Sequence, residues 1–85
     1  MTTKNEMAEQ AAEVIGAMLL RLHSETGLPL DCILAGAHAQ VITMMTTTLG
    51  GPMTAHCCEQ AAERVRALPS LEAVSLAFAE PAGRA

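Results

Sequence analysis

The sequence predicts an all-α fold, a small four-helix domain, and three observations lead to this prediction. The chain has 85 residues and is 51% hydrophobic, yet Phe78 is its one aromatic residue. Its apolar content is rich in Ala, Leu and Met, which favour helices, whereas strands favour aromatic and β-branched residues. Apolar residues also recur with helical spacing along four segments that Gly and Pro separate. We expect a long antiparallel helical hairpin plus two shorter helices.

The first predicted helix covers residues 6–24. Thr3, followed three residues later by Glu6, has the pattern of a capping box. At the helical step of about 100° per residue, the apolar residues fill one side and the charged residues the other, apart from Leu20. This pattern indicates an amphipathic surface helix. Its apolar residues are Met7, Ala8, Ala11, Ala12, Val14, Ile15, Met18, Leu19 and Leu22.

Glycines and prolines mark the next boundaries. Gly27 can adopt a left-handed C-cap, and Pro29 suits the first turn of a second helix over residues 30–49. Gly50 and Gly51 end that helix, and Pro52 begins a third helix that extends to residue 67.

Pro69 ends the third helix, and Ser70 is a suitable N-cap for a short fourth helix through Ala79. Residues 1–80 are therefore predicted to form a single helical domain, and residues 81–85 a loose C-terminal tail.

The second helix lies almost wholly in a segment without Asp, Glu, Lys or Arg, residues 32–58. Its apolar residues spread over about 180°, wider than the stripe of a surface helix. This predicts a central, nearly enclosed helix. An 85-residue chain has few other residues that could cover this helix on all sides. We therefore expect an oligomeric bundle, with a two-fold dimer as the commonest arrangement.

The predicted association surface consists of Leu34, His38, Val41 and Met45. The small residues of the "LAGAHA" segment would allow a helix to approach closely, either from a second copy or from helix 1 of the same chain. His38 could also serve as a ligand, a general base or a pH switch. We favour a core or interface histidine, and we expect it to lie level with Gly16, where the missing side chain could form a notch for the imidazole.

The "HCC" segment raises the question of a metal or redox site. On one helix its three side chains point in different directions, so they cannot bind one metal ion, and no metal site or cofactor is predicted. Met53 and Cys57 have i, i+4 spacing that copper(I) could use, but Met at helical spacing is usually a core residue. We expect three free thiols, with Cys58 buried and Cys57 and Cys32 partly exposed.

Composition limits the function classes. The net charge of −4 and the absence of a basic patch argue against nucleic acid. The sequence has no basic amphipathic face of the kind that binds a membrane surface. Its polar N-terminal residues do not resemble a secretory signal. We therefore expect a cytoplasmic protein. His38, Gln40 and four Thr also argue against a membrane-spanning second helix. No catalytic motif is present.

The predicted function is therefore that of a small non-catalytic cytoplasmic helical protein. It would act by self-association or by binding a protein partner through its uncharged central helix. The first alternative is a protein that binds a small ligand or soft metal in an apolar cavity. The apolar cavity of this ligand-binding alternative would be lined by Met18, Leu34, His38, Val41 and Met45. The remaining alternative is an enzyme that acts through His38 at an oligomer interface.

Overall fold

A computed structural model describes residues 3–75 of the chain. Within that range the backbone forms three helices and no strand, which confirms the all-α prediction. The helices are α1 (Lys4–Thr26), α2 (Leu30–Leu49) and α3 (Gly51–Arg66). Residues 71–75 are also helical. Phe78, Ala79 and the predicted tail lie outside the described residues, so the fourth helix as a whole stays a prediction.

The capping box that the sequence predicts at the start of α1 is present. The Thr3 N–H donates to Glu6 Oε1 at 3.0 Å, and the Glu6 N–H donates to Thr3 Oγ1 at 3.1 Å. The helix therefore begins at Lys4, two residues before the predicted boundary. At its other end Gly27 has φ 74° and its N–H donates to the His23 carbonyl, which confirms the left-handed C-cap.

A short connection joins α1 to α2 and is held by local hydrogen bonds. His23 Nδ1 donates to the Leu28 carbonyl at 2.7 Å, and the Leu28 N–H donates to Thr26 Oγ1 at 3.2 Å. Pro29 lies just before α2, where its carbonyl accepts from the Ile33 N–H at 3.1 Å. Pro29 was predicted to lie within the first turn of α2. It lies directly before that turn, and its carbonyl accepts the hydrogen bond that closes the turn.

The boundary between α2 and α3 falls at the predicted glycines. Gly50 has φ 84°, a backbone conformation that favours glycine, and Pro52 lies in the first turn of α3. The Thr54 hydroxyl donates to the Gly50 carbonyl at 2.8 Å, so this buried polar side chain is satisfied. Ser70 is also an N-cap, since its Oγ accepts from the Ala73 N–H at 3.1 Å.

The chain divides into two compact units, residues 1–48 and residues 49–85. In the first unit Leu19 and Leu22 of α1 line one groove with residues of α2, so the two helices fold back against each other as a hairpin whose contact lies near the short connection. Leu19 on α1 and Ala37 on α2 are half-buried, and Ile33 is buried with 6% exposure. Ile33 is the one buried hydrophobic residue among those that the structure describes.

The predicted enclosure of α2 is therefore not found within the described part of the chain. Of its 20 residues, Ile33 is the buried one, while Leu34, Val41, Met44 and Leu49 are each about half exposed. The hairpin contact with α1 covers α2 from one direction, so these apolar residues of α2 stay exposed. Enclosure on the remaining sides stays a prediction that requires another chain.

Candidate interaction surface

Four residues of α2 predicted to form an interface share one face of the helix. Leu34, His38, Val41 and Met45 follow one another at intervals of four, three and four residues, which places them within about 60° of arc. Leu34 and Val41 are each 49% exposed, His38 is exposed and Met45 is half-buried. We call these four residues the α2 face. It combines apolar side chains with one imidazole in an accessible position.

The α2 face lies to one side of the hairpin. Ile33 and Ala37, the most buried positions in the N-terminal half of α2, mark the direction toward α1. Counted at about 100° per residue, the α2 face is centred about 100° further round the helix. Its side chains therefore stand beside the α1–α2 contact and do not fill it.

Three of the four threonines of α2 lie on the side of the helix away from the α2 face, and they present little unsatisfied polarity. The Thr43 hydroxyl donates to the Ala39 carbonyl at 3.0 Å, and Thr46 donates to the Ile42 carbonyl at 2.9 Å. The Thr47 hydroxyl does the same with a carbonyl one turn earlier. A hydroxyl that already bonds to its own helix needs no water at that donor, so covering it costs less free energy.

No charged residue lies on α2 beyond its first turn. Asp31 is the last charged residue before Glu59. The Asp31 carboxylate lies in the first turn of α2 and accepts from the Cys32 N–H at 2.9 Å. Desolvating a charged side chain is the largest cost of covering a surface. A partner that covers the α2 face would not incur that cost there.

An apolar groove lies between α1 and α2, with a volume of about 390 Å³. Its lining contains no charged residue. It consists of Leu19, Leu22, Leu28, Cys32, Ile33, Gly36, Ala37 and Gln40. None of the five residues predicted to line a ligand cavity is among them.

The predicted cavity residues also lie on different sides of the hairpin. Both helices are right-handed and run in opposite directions. Cys32 and Gly36 turn one way from the contact direction, toward the side of Leu22, and the α2 face turns the other way. Met18 lies on the Leu22 side of α1. Helical geometry therefore places Met18 on the groove side of the hairpin and His38 with the three other predicted cavity residues on the other side.

The cysteines differ from the sequence expectation. Cys32, Cys57 and Cys58 are free thiols, but Cys57 is half-buried whereas Cys58 is exposed. The prediction that Cys58 is the buried one is wrong. Cys57 and Cys58 follow the buried Thr54 by three and four residues, so they lie on opposite sides of Thr54 around the helix. Helical spacing alone does not show which of these two sides is covered. Within residues 3–75 no three His, Cys, Asp or Glu residues converge as a metal site.

The glycine-notch hypothesis for Gly16 is also wrong. A Cβ placed on Gly16 would meet no atom within 4 Å, so no imidazole occupies that position. His38 is exposed. Gly36, within the "LAGAHA" segment, has equally open space around it. Packing within the described residues therefore requires neither of these two helical glycines.

Sequence reasoning missed the exposure of the apolar side of α1. The amphipathic pattern assigned that side to a core, but Val14, Ile15 and Met18 are 59%, 51% and 62% exposed. The length of the apolar stripe, which runs over four turns from Met7 to Leu22, could have indicated that part of it is exposed. The groove beside α2 includes only Leu19 and Leu22 of α1, so it covers only one end of the stripe.

Among the described helices, α2 is long and apolar enough to cross a membrane. Length and composition alone are weak evidence for a span.

Comparison of the chain with protein-family models, curated proteins and solved structures found no significant match.

Proposed function

We propose that this chain is a small non-catalytic cytoplasmic protein that acts by self-association or by binding a protein partner through the α2 face. The observation that supports this most is that Leu34 and Val41 are half exposed in the middle of a helix that carries no charged residue beyond its first turn. Exposed apolar patches bordered by polar residues are typical of interaction sites. The free thiols fit a reducing compartment.

A protein partner fits the hairpin better than a bilayer does. α1 shares a groove with α2 and carries charged residues over its length, including Glu9, Glu13 and Arg21. If α2 crossed a membrane with the hairpin intact, these side chains would enter the hydrocarbon, where ionised groups are costly. A bilayer would therefore require α1 to separate from α2, whereas a protein partner would not.

The experiment compares the oligomeric state of two matched variants, Val41→Glu and Ala39→Glu. Both add one carboxylate to the same helix, but Ala39 lies about 160° round the helix from Val41 and is exposed. Multi-angle light scattering coupled to size exclusion would report the mass over a range of concentrations. We expect Val41→Glu to lower the oligomer number and Ala39→Glu to leave it unchanged.

The proposal would be refuted by two results together. The wild type and Val41→Glu would have equal masses, and the immobilised chain would bind no protein partner through the α2 face. Flotation of the wild-type chain with liposomes would favour insertion of α2. Native mass spectrometry provides a second check, since a species heavier than a whole multiple of the chain would indicate a bound small molecule.

A second candidate is binding of a small apolar ligand in the groove of the hairpin. The observation that favours it is an uncharged, mostly apolar lining with a volume of about 390 Å³, within the range of ligand sites. Substitution of Gly36 by Leu would fill the groove, since a side chain there has open space. Thermal-shift screening of the wild type and Gly36→Leu would identify a ligand that stabilises only the wild type.

A further inference from the structure

The apolar stripe on α1 is a second exposed surface, on the side of the hairpin opposite to the α2 face. Its five large residues are between 42% and 62% exposed. Because it includes Leu22, it is continuous with the groove. We define the α1 stripe as Met7, Ala11, Val14, Ile15, Met18 and Leu22.

The spacing of the α1 stripe is symmetric about its own centre. The midpoint falls between Val14 and Ile15, and every stripe residue has a counterpart at the same distance on the other side. Met7 corresponds to Leu22, and Ala11 corresponds to Met18. An antiparallel helix of the same sequence would therefore place apolar residues opposite apolar residues at every level. Such self-complementarity is what a two-fold interface requires.

The charges at the two ends of the stripe follow the same symmetry. Lys4 is the first residue of α1, and Glu25 lies one residue before its last residue. Both are on the stripe side of the helix, and they are equally far from the midpoint. In an antiparallel pair Lys4 of each copy would face Glu25 of the other. A parallel pair would instead place like charges together.

The acidic residues do not oppose this arrangement. Glu6, Glu9 and Glu13 lie at least about 120° round the helix from the centre of the stripe. Glu25 already contacts Arg21 Nε at 2.7 Å, but both side chains are exposed, so Glu25 stays accessible to a second cation.

We propose that the α1 stripe binds the α1 stripe of a second copy of this chain, antiparallel, with the two-fold axis between Val14 and Ile15. A large aliphatic side chain contributes about 60–120 Å² of apolar area when fully covered. Five side chains that are half exposed offer roughly 150–300 Å² per copy. Because a standard interface buries about 800 Å² per partner, this smaller apolar area predicts a weak dimer that forms at high protein concentration and dissociates on dilution.

This surface is separate from the α2 face, so the two proposals can be tested apart. In the Val41→Glu background, association that remains reports on α1. We expect Ile15→Glu in that background to give a monomer, and the matched variant Ala17→Glu, about 160° round α1, to keep the dimer. Helix content by circular dichroism would show that α1 is intact. Unchanged dimerisation in Ile15→Glu would overturn the proposal, whatever the effect of Val41→Glu.

A charge swap tests the antiparallel register. Lys4→Glu and Glu25→Lys should each raise the dissociation constant about threefold to tenfold, because each converts two attractive pairs into repulsive ones. The double variant should return to within about twofold of the starting value, since the pairs are restored with reversed sign. Additive weakening in the double variant would overturn the proposed register.

Cysteine cross-linking gives a readout that does not depend on charge. In a chain with its three native cysteines changed to Ser, Met7→Cys combined with Leu22→Cys should form a disulfide-linked dimer on oxidation. Met7→Cys alone should not, because the two copies of residue 7 lie at opposite ends of the pair. Efficient cross-linking by Met7→Cys alone would indicate a parallel pair and refute the proposal.

Discussion

Thr3 and Glu6 hydrogen-bond to each other's backbone at the start of α1, over distances of 3.0 and 3.1 Å. This exchange satisfies two backbone N–H groups that no helical carbonyl reaches. We expect Thr3→Ala to lower the free energy of unfolding by about 1 kcal/mol. Urea denaturation followed by circular dichroism would measure it. Thr46→Ala is the control, because Thr46 is exposed and bonds only within its own helix; an equal loss there would contradict a specific effect of the cap.

The same contact makes the start of α1 sensitive to acid. The Thr3 backbone N–H, and then the Thr3 hydroxyl, hold the pKa of Glu6 below its ordinary value. A pKa lowered in the folded state adds stability above the ordinary pKa of Glu, and that contribution is lost as the pH falls through the lowered value. Glu6→Gln should therefore weaken the pH dependence of the melting temperature in the acid range. An unchanged pH profile in Glu6→Gln would show that other carboxylates dominate it.

Gly16 and Gly27 should respond in opposite directions to the same substitution. Gly16→Ala should stabilise the chain by about 1 kcal/mol, because alanine favours a helix and a Cβ there has open space. Gly27→Ala should destabilise it by about 1 kcal/mol, because φ is 74° at that position. Thermal unfolding of the two variants would test this. Destabilisation by Gly16→Ala would instead support a notch in which another group packs.

The ion pair between Arg21 and Glu25 should add little to the stability of α1. The two side chains are 77% and 61% exposed, and solvent screens such a pair. We expect Glu25→Gln to change the free energy of unfolding by less than about 0.5 kcal/mol. Measurement at low and high salt would confirm screening. A loss well above 1 kcal/mol would mean that Glu25 makes a contact outside its own chain.

The three thiols should react at different rates. Cys32 and Cys58 are exposed and Cys57 is half-buried, so a maleimide should label the first two before the third. Mass spectrometry of peptides taken at successive times would give the three rates. If Cys57 reacted first, its partial burial would not persist in solution. Protection of Cys32 alone on raising the protein concentration would locate association near the groove, which Cys32 lines.

The sequence by itself determined the elements and their boundaries, because these depend on local interactions. The Thr3–Glu6 pair, Gly27 at the end of α1, Gly50 before α3 and Ser70 as an N-cap act within a few residues of the backbone they complete. Helical period also placed the four residues of the α2 face on one side of the helix. These features were predicted to within one or two residues.

Only the tertiary structure decided which apolar sides are covered. Helical period shows that Val14 and Met18 share a side of α1, but not whether another helix lies there, and both are exposed. The same limit explains the unexpected exposure of Cys58 and the open space at Gly16. Burial depends on contacts between residues distant in sequence, and among residues 3–75 such contacts leave large apolar residues exposed on both helices of the hairpin.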